Sequence, residues 1–123
     1  MLMLPPAVRI FIAREATDMR RSFDGLSAMI SSFDLDPISG HLFVFFNKRR
    51  DRVKILYWDR SGYWLLYKRL EHGTFTWATR AVNCEGSIEV NSKDLALLLE
   101  GVDMRNATRR VTHDELRKLP NQY

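Results

Sequence analysis

HLFVFFNKRRDRVKILYWDRSGYWLLYKRL, from His41 to Leu70, decides the fold. Leu42 to Phe46, Val53 to Trp58 and Tyr63 to Leu70 are short aromatic and β-branched runs, the composition of strands. The segments between them, NKRRDR and DRSG, are polar and carry turn residues, so the stretch pairs with itself as an antiparallel meander. The second turn is tight: pairing Asp59 with Gly62 sets Trp58 opposite Tyr63, Leu56 opposite Leu65 and Lys54 opposite Tyr67. Alternation then gives one face with Val53, Ile55, Tyr57, Trp64 and Leu66, which reads as core. The other carries Lys54, Leu56, Trp58, Tyr63, Leu65, Tyr67 and Arg69, with Phe43 and Phe45 joining it if Phe46 pairs with Val53.

On the N-terminal side, Val8 to Ala13 reads as a first strand. MLMLPPAVRIFIA is not expected to be an export signal or a membrane span, because it lacks a basic leader and Pro5-Pro6, Arg9 and Arg14 interrupt it. Met19, Phe23, Leu26 and Ile30 then fall at helical spacing behind Thr17 or Asp18 as N-cap, predicting an amphipathic helix of about four turns. Gly25 within it suggests close packing on the sheet. Arg20 and Arg21 fall in its first turn, the unfavourable end for cations, where they are either a surface accident or an anion site shared with free amides. Asp36-Pro37 and Ser39-Gly40 end this helix.

On the C-terminal side, TFTW reads as a further strand with Phe75 and Trp77 inward, and Ser87 to Val90 as a short last strand. Asn91 or Ser92 caps a helix whose Leu95, Leu98, Leu99 and Val102 form an i, i+3, i+4, i+7 stripe, closed by Gly101. The fold class is therefore α+β: an antiparallel β-meander sheet of about five strands packed with two main helices. At 123 residues a single domain over 1–105 is expected, with no second core and a basic, partly ordered tail over 106–123 that could include a short helix from His113 to Leu119.

The chemistry-bearing residue types are scattered. His41, His72 and His113 have no metal-ligand spacing, the aspartates select no triad, and neither a phosphate-binding glycine loop nor a nucleophile elbow is present. No catalytic residue, metal or cofactor is assigned. Cys84 stands alone in a polar loop, which agrees with a reducing cytoplasm. The net charge of +4 is compatible with a polyanion partner without requiring one. Lys48, Arg49, Arg50 and Arg52 share one loop, offset only by Asp51: a solvated tip, or a phosphate contact. Trp58, Tyr63 and Tyr67 lie between cations as a base-stacking surface, a partner surface, or the second core face of a sheet covered on both sides.

TDMRRSFDGL (Thr17 to Leu26), SGHLFVFFNKRRDRVKILYWDRSGYWLLYKRLEHGTFTW (Ser39 to Trp77) and LLLEGVDMR (Leu97 to Arg105) resemble, in order and spacing, the TnpB accessory proteins of the insertion sequence 66 family. The departures concentrate between Ala78 and Ser87 and after Arg105. The resemblance implies a bacterial transposon accessory protein, cytoplasmic and nucleoid-associated, made beside a small helix-turn-helix protein and a larger DDE transposase that performs the strand chemistry. On this reading the protein is non-catalytic and binds transposon-end DNA through Arg49, Arg50, Arg52, Lys54, Lys68 and Arg69, with Arg20 and Arg21 as a second patch. The alternative is an adaptor that binds the transposase without touching DNA.

Overall fold

A computed structural model describes residues 7–76 and 86–101. In chain order they form β1 (Ile10–Ala13), α1 (Phe23–Ser32), β2 (Leu42–Phe46), β3 (Arg52–Asp59), β4 (Gly62–Arg69), β5 (Ser87–Val90) and α2 (Ser92–Glu100). The strands make one sheet in the order β4-β3-β2-β1-β5. The meander pairs as the sequence predicts: Asp59 faces Gly62, Trp58 faces Tyr63, Lys54 faces Tyr67, and Phe46 faces Val53. β5 also runs antiparallel to its neighbour β1, but β1 and β2 are parallel. That pair makes the sheet mixed, because α1 carries the chain back across it as a βαβ unit.

β1 and β2 are inner strands, and every residue of IFIA and LFVFF is buried. Continuous apolar runs of this kind belong to strands covered on both faces. One cluster joins Ile10, Ile12, Leu42, Val44, Val53 and Ile55 to Leu95 and Leu98 of α2. On the opposite face Phe11, Phe43, Phe45 and Leu56 pack against Leu26 and Ile30 of α1. Of the readings open for the mixed face, its inner-strand part is therefore the second core face of a sheet covered on both sides: alternation gives this thin sheet two apolar faces within one domain, and each has its own helix.

Several local expectations shift. α1 begins at Phe23 behind Ser22, so Arg20 and Arg21 precede the helix and are not in its first turn. Their amides are not free either, since Arg20 N donates to Asp18 Oδ1 and Arg21 N to the Asp18 carbonyl. Gly25 gives room to Arg21, whose Cβ lies 3.3 Å from where an alanine Cβ would sit, and not to the sheet. In the TFTW segment, read from sequence as a strand, Thr74 makes only an isolated bridge. Phe75 is nevertheless fully buried, and its N–H donates to the Arg50 carbonyl at 2.7 Å. Trp64 and Leu66, which alternation assigns to the core, are 53% and 36% exposed, because β4 is the edge strand and α2 covers the inner ones. Asn91 caps α2 by accepting from Asp94 N at 2.8 Å, and Gly101 closes it at φ 74°. Trp77, Cys84, Val102, the His113–Leu119 helix and the basic tail lie outside the described residues.

Candidate nucleic-acid interface

The β2–β3 loop is built around Asn47. Its Oδ1 accepts from Asp51 N at 3.0 Å and Arg52 N at 2.9 Å, while its Nδ2 donates to Asp51 Oδ1 at 2.7 Å. The carbonyls of Asp51 and Arg50 accept from Leu70 N and Phe75 N, each at 2.7 Å, which clamps the loop to the exit of β4. The one carboxylate in the loop is thus engaged by an amide. That amide holds Asp51 below the usual carboxylate range, with Arg49 and Arg52 adding to the effect. Lys48, Arg49, Arg50 and Arg52 take part in no ion pair among the described residues.

From this loop the cations continue onto the ribbon. Arg52 lies directly opposite Arg69 across β3–β4, a juxtaposition of like charges that disfavours the pairing unless something screens it. Arg52 donates to Tyr67 Oη at 3.2 Å, and Arg69 pairs with Glu71 at 2.9 Å. The sequence reading gives Lys54 to phosphate; in the fold it is buried, with Nζ donating to the Met19 and Arg21 carbonyls at 2.7 Å each. That contact brings the loop carrying Arg20 and Arg21 against the side of β3 that also bears Arg52. Arg20 is occupied by Asp18 at 2.6 Å, which holds the Asp18 carboxyl at about 2. Lys68 points to the other face, where it donates to the Leu99 carbonyl at the end of α2, a position that suits a cation. Arg52 and Arg69 thus share one face of the ribbon end with the turn that carries Arg20 and Arg21, Arg49 and Arg50 stand in the adjoining β2–β3 loop, and the buried Lys54 and the exposed Lys68 each donate to backbone carbonyls.

The aromatic residues divide. Trp58 and Tyr63 meet edge to face at 5.0 Å, and Tyr63 stacks on Phe23 at 6.5 Å. Both sit at the Asp59–Gly62 turn, six residues along β3 from Arg52, or about 20 Å at the strand rise. Tyr67 alone of the three stays among the cations, and it is 52% exposed.

A sequence model of the family described as IS66 Orf2 like protein matches residues 8–109. The chain belongs to that family. Membership associates it with transposition, as an accessory protein of an insertion sequence. Two relatives, both from Sinorhizobium fredii, are the uncharacterized proteins y4jC and y4hO. The first is 36% identical over 84% of this chain and 86% of its own length, the second 36% identical over 85% and 90%. No solved structure matches the chain.

For this IS66 Orf2 like protein, the sequence reading misses Asn47 as the loop's organiser and Asp18 as the counter-ion of Arg20. An asparagine bordering a turn with an aspartate four residues on is the available signal for the first. Among the described residues no three His, Cys, Asp or Glu side chains converge as a metal site would require, and no helix is long and apolar enough to cross a membrane.

Proposed function

We propose that the protein is a non-catalytic accessory factor that assists transposition by binding DNA through its basic face. Arg49, Arg50 and Arg52 contact phosphates first, with Arg69, Arg20 and Arg21 extending the path. One observation carries the reading: Asp51 accepts from Asn47 and forms no ion pair among the described residues, so the guanidinium groups of the loop keep their donors open to an external anion. The opposed Arg52 and Arg69 support it, since a phosphate between them would turn repulsion into a shared contact.

Phosphate contact releases counterions. Six contacts correspond to roughly a thousandfold loss of affinity between 50 and 200 mM salt. Substituting Arg49→Ala, Arg50→Asn and Arg52→Ala together, with asparagine chosen for the positive φ at Arg50, lowers the slope of log affinity against log salt by roughly 0.9 for each phosphate no longer neutralised. Anisotropy titrations with a duplex carrying the element's end measure it. An unchanged slope in a folded variant rules the loop out as the DNA-binding element.

A second reading has its own observation. Trp64 and Leu66 are exposed side by side on one face of edge strand β4, which suits an adaptor that docks on the transposase. Complex formation between the two purified proteins in the absence of DNA, abolished by Trp64→Ser/Leu66→Thr, supports that reading over the first.

A further inference from the structure

Lys54 has a task that phosphate binding does not explain. Its residue is 6% exposed and it joins none of the ion pairs among the described residues. A buried ammonium without a counter-charge is costly unless polar groups replace its water. Here the replacements are the carbonyls of Met19 and Arg21 at 2.7 Å each, and the face of Tyr67, whose centroid is 4.9 Å away.

Those two carbonyls also explain where α1 starts. In a helix begun one turn earlier they would accept from the backbone N–H groups of Phe23 and Gly25. The i to i+4 bond seen at the start of α1 instead runs from Leu26 N to the Ser22 carbonyl at 2.9 Å. Asp18 gathers the amides of Arg20 and Arg21, so residues 18–21 form a closed turn folded back on the helix beside Gly25. The apolar spacing from Met19 onward favours helix, and the lysine opposes it.

We infer that Lys54 is a positioning residue: its ammonium holds the Met19–Arg21 turn out of α1 and against β3–β4, so that Arg20 and Arg21 join Arg52 and Arg69 in one cationic face. Its consequence for DNA rests on the function proposed above. The geometry does not.

The test has three arms. In the unsubstituted chain, limited acetylation read by mass spectrometry modifies Lys54 later than Lys48 and Lys93, and modification at an equal rate overturns the inference. In Lys54→Met, backbone chemical shifts of residues 19–22 move to helical values, while Lys54→Arg, which can still donate to both carbonyls, keeps the turn. Unmoved shifts in Lys54→Met overturn it, and if that variant does not fold, the acetylation result decides. In the third arm, Arg20→Ala/Arg21→Ala lowers the salt slope of DNA binding by about 1.8 in the natural background and leaves it unchanged in Lys54→Met. An equal fall in both backgrounds sinks the positioning role. If the natural chain binds no DNA, the functional reading fails and the first two arms still decide the role of Lys54.

Discussion

At the scale of single residues, backbone conformation and local charge decide the outcome. Gly101 closes α2 at φ 74° and ψ 179°, a region open essentially to glycine alone. An added Cβ would also lie 2.7 Å from Leu70 Cδ1. The Leu70 methyl is the end of a flexible side chain and can turn away, so the backbone strain dominates. Gly101→Ala and Gly101→Asn are each expected to destabilise by about 1–3 kcal/mol in urea unfolding, without the rescue that asparagine gives at an ordinary left-handed position. Asp18 tests the charge side. Because Arg20 lowers its carboxyl from 3.8 to about 2, its contribution is complete above 3.8 and is lost as pH falls toward 2. Carboxyl NMR should give Asp18 a midpoint near 2, moving up toward 3.8 in Arg20→Ala. The glycine stop at Gly101 was legible in the sequence. The Asp18–Arg20 pair was not, because Asp18 also reads as an N-cap and only the position of the helix start separates the two.

Among the elements, the β2–β3 loop concentrates the most information. Asn47 serves three hydrogen bonds with one side chain, and two loop carbonyls hold Leu70 and Phe75. Asn47→Ala leaves two partly buried amides and Asp51 without that partner, for an expected cost of about 1–3 kcal/mol at unchanged m-value. It also frees Asp51 to pair with Arg49 or Arg52, so DNA affinity should fall further than stability alone explains, as a titration of the folded variant would show. The meander was legible down to its register, because a two-residue turn between alternating runs leaves little freedom. The start of α1 was not: the spacing places it a turn too early. Hydrophobic spacing marks which residues can face the core, but here a lysine on a strand distant in sequence competes for the carbonyls that the first turn needs.

For the whole molecule, the question is which charges and rings share a face. α1 covers the inner-strand part of the mixed face, so Phe43, Phe45 and Leu56 are core, while on edge strand β4 Tyr67 stays exposed on that same face among the cations and Trp64 is exposed on the opposite one. Trp64→Ser/Leu66→Thr should therefore leave the salt dependence of DNA binding intact, because those residues lie on the opposite side of β4 from Arg69. The amino-acid sequence by itself determined the five strands of the sheet, though it added a false one at TFTW, together with the meander pairing, the two amphipathic helices and the family. Each of these rests on periodicity or on patterns a few residues long. Only the tertiary structure decided that β1 and β2 run parallel, that two cores flank the sheet, and that Lys54 faces inward while Arg52 stays partly open. Those outcomes depend on which helix covers which face, and that is settled by packing between segments tens of residues apart, where local pattern carries no information.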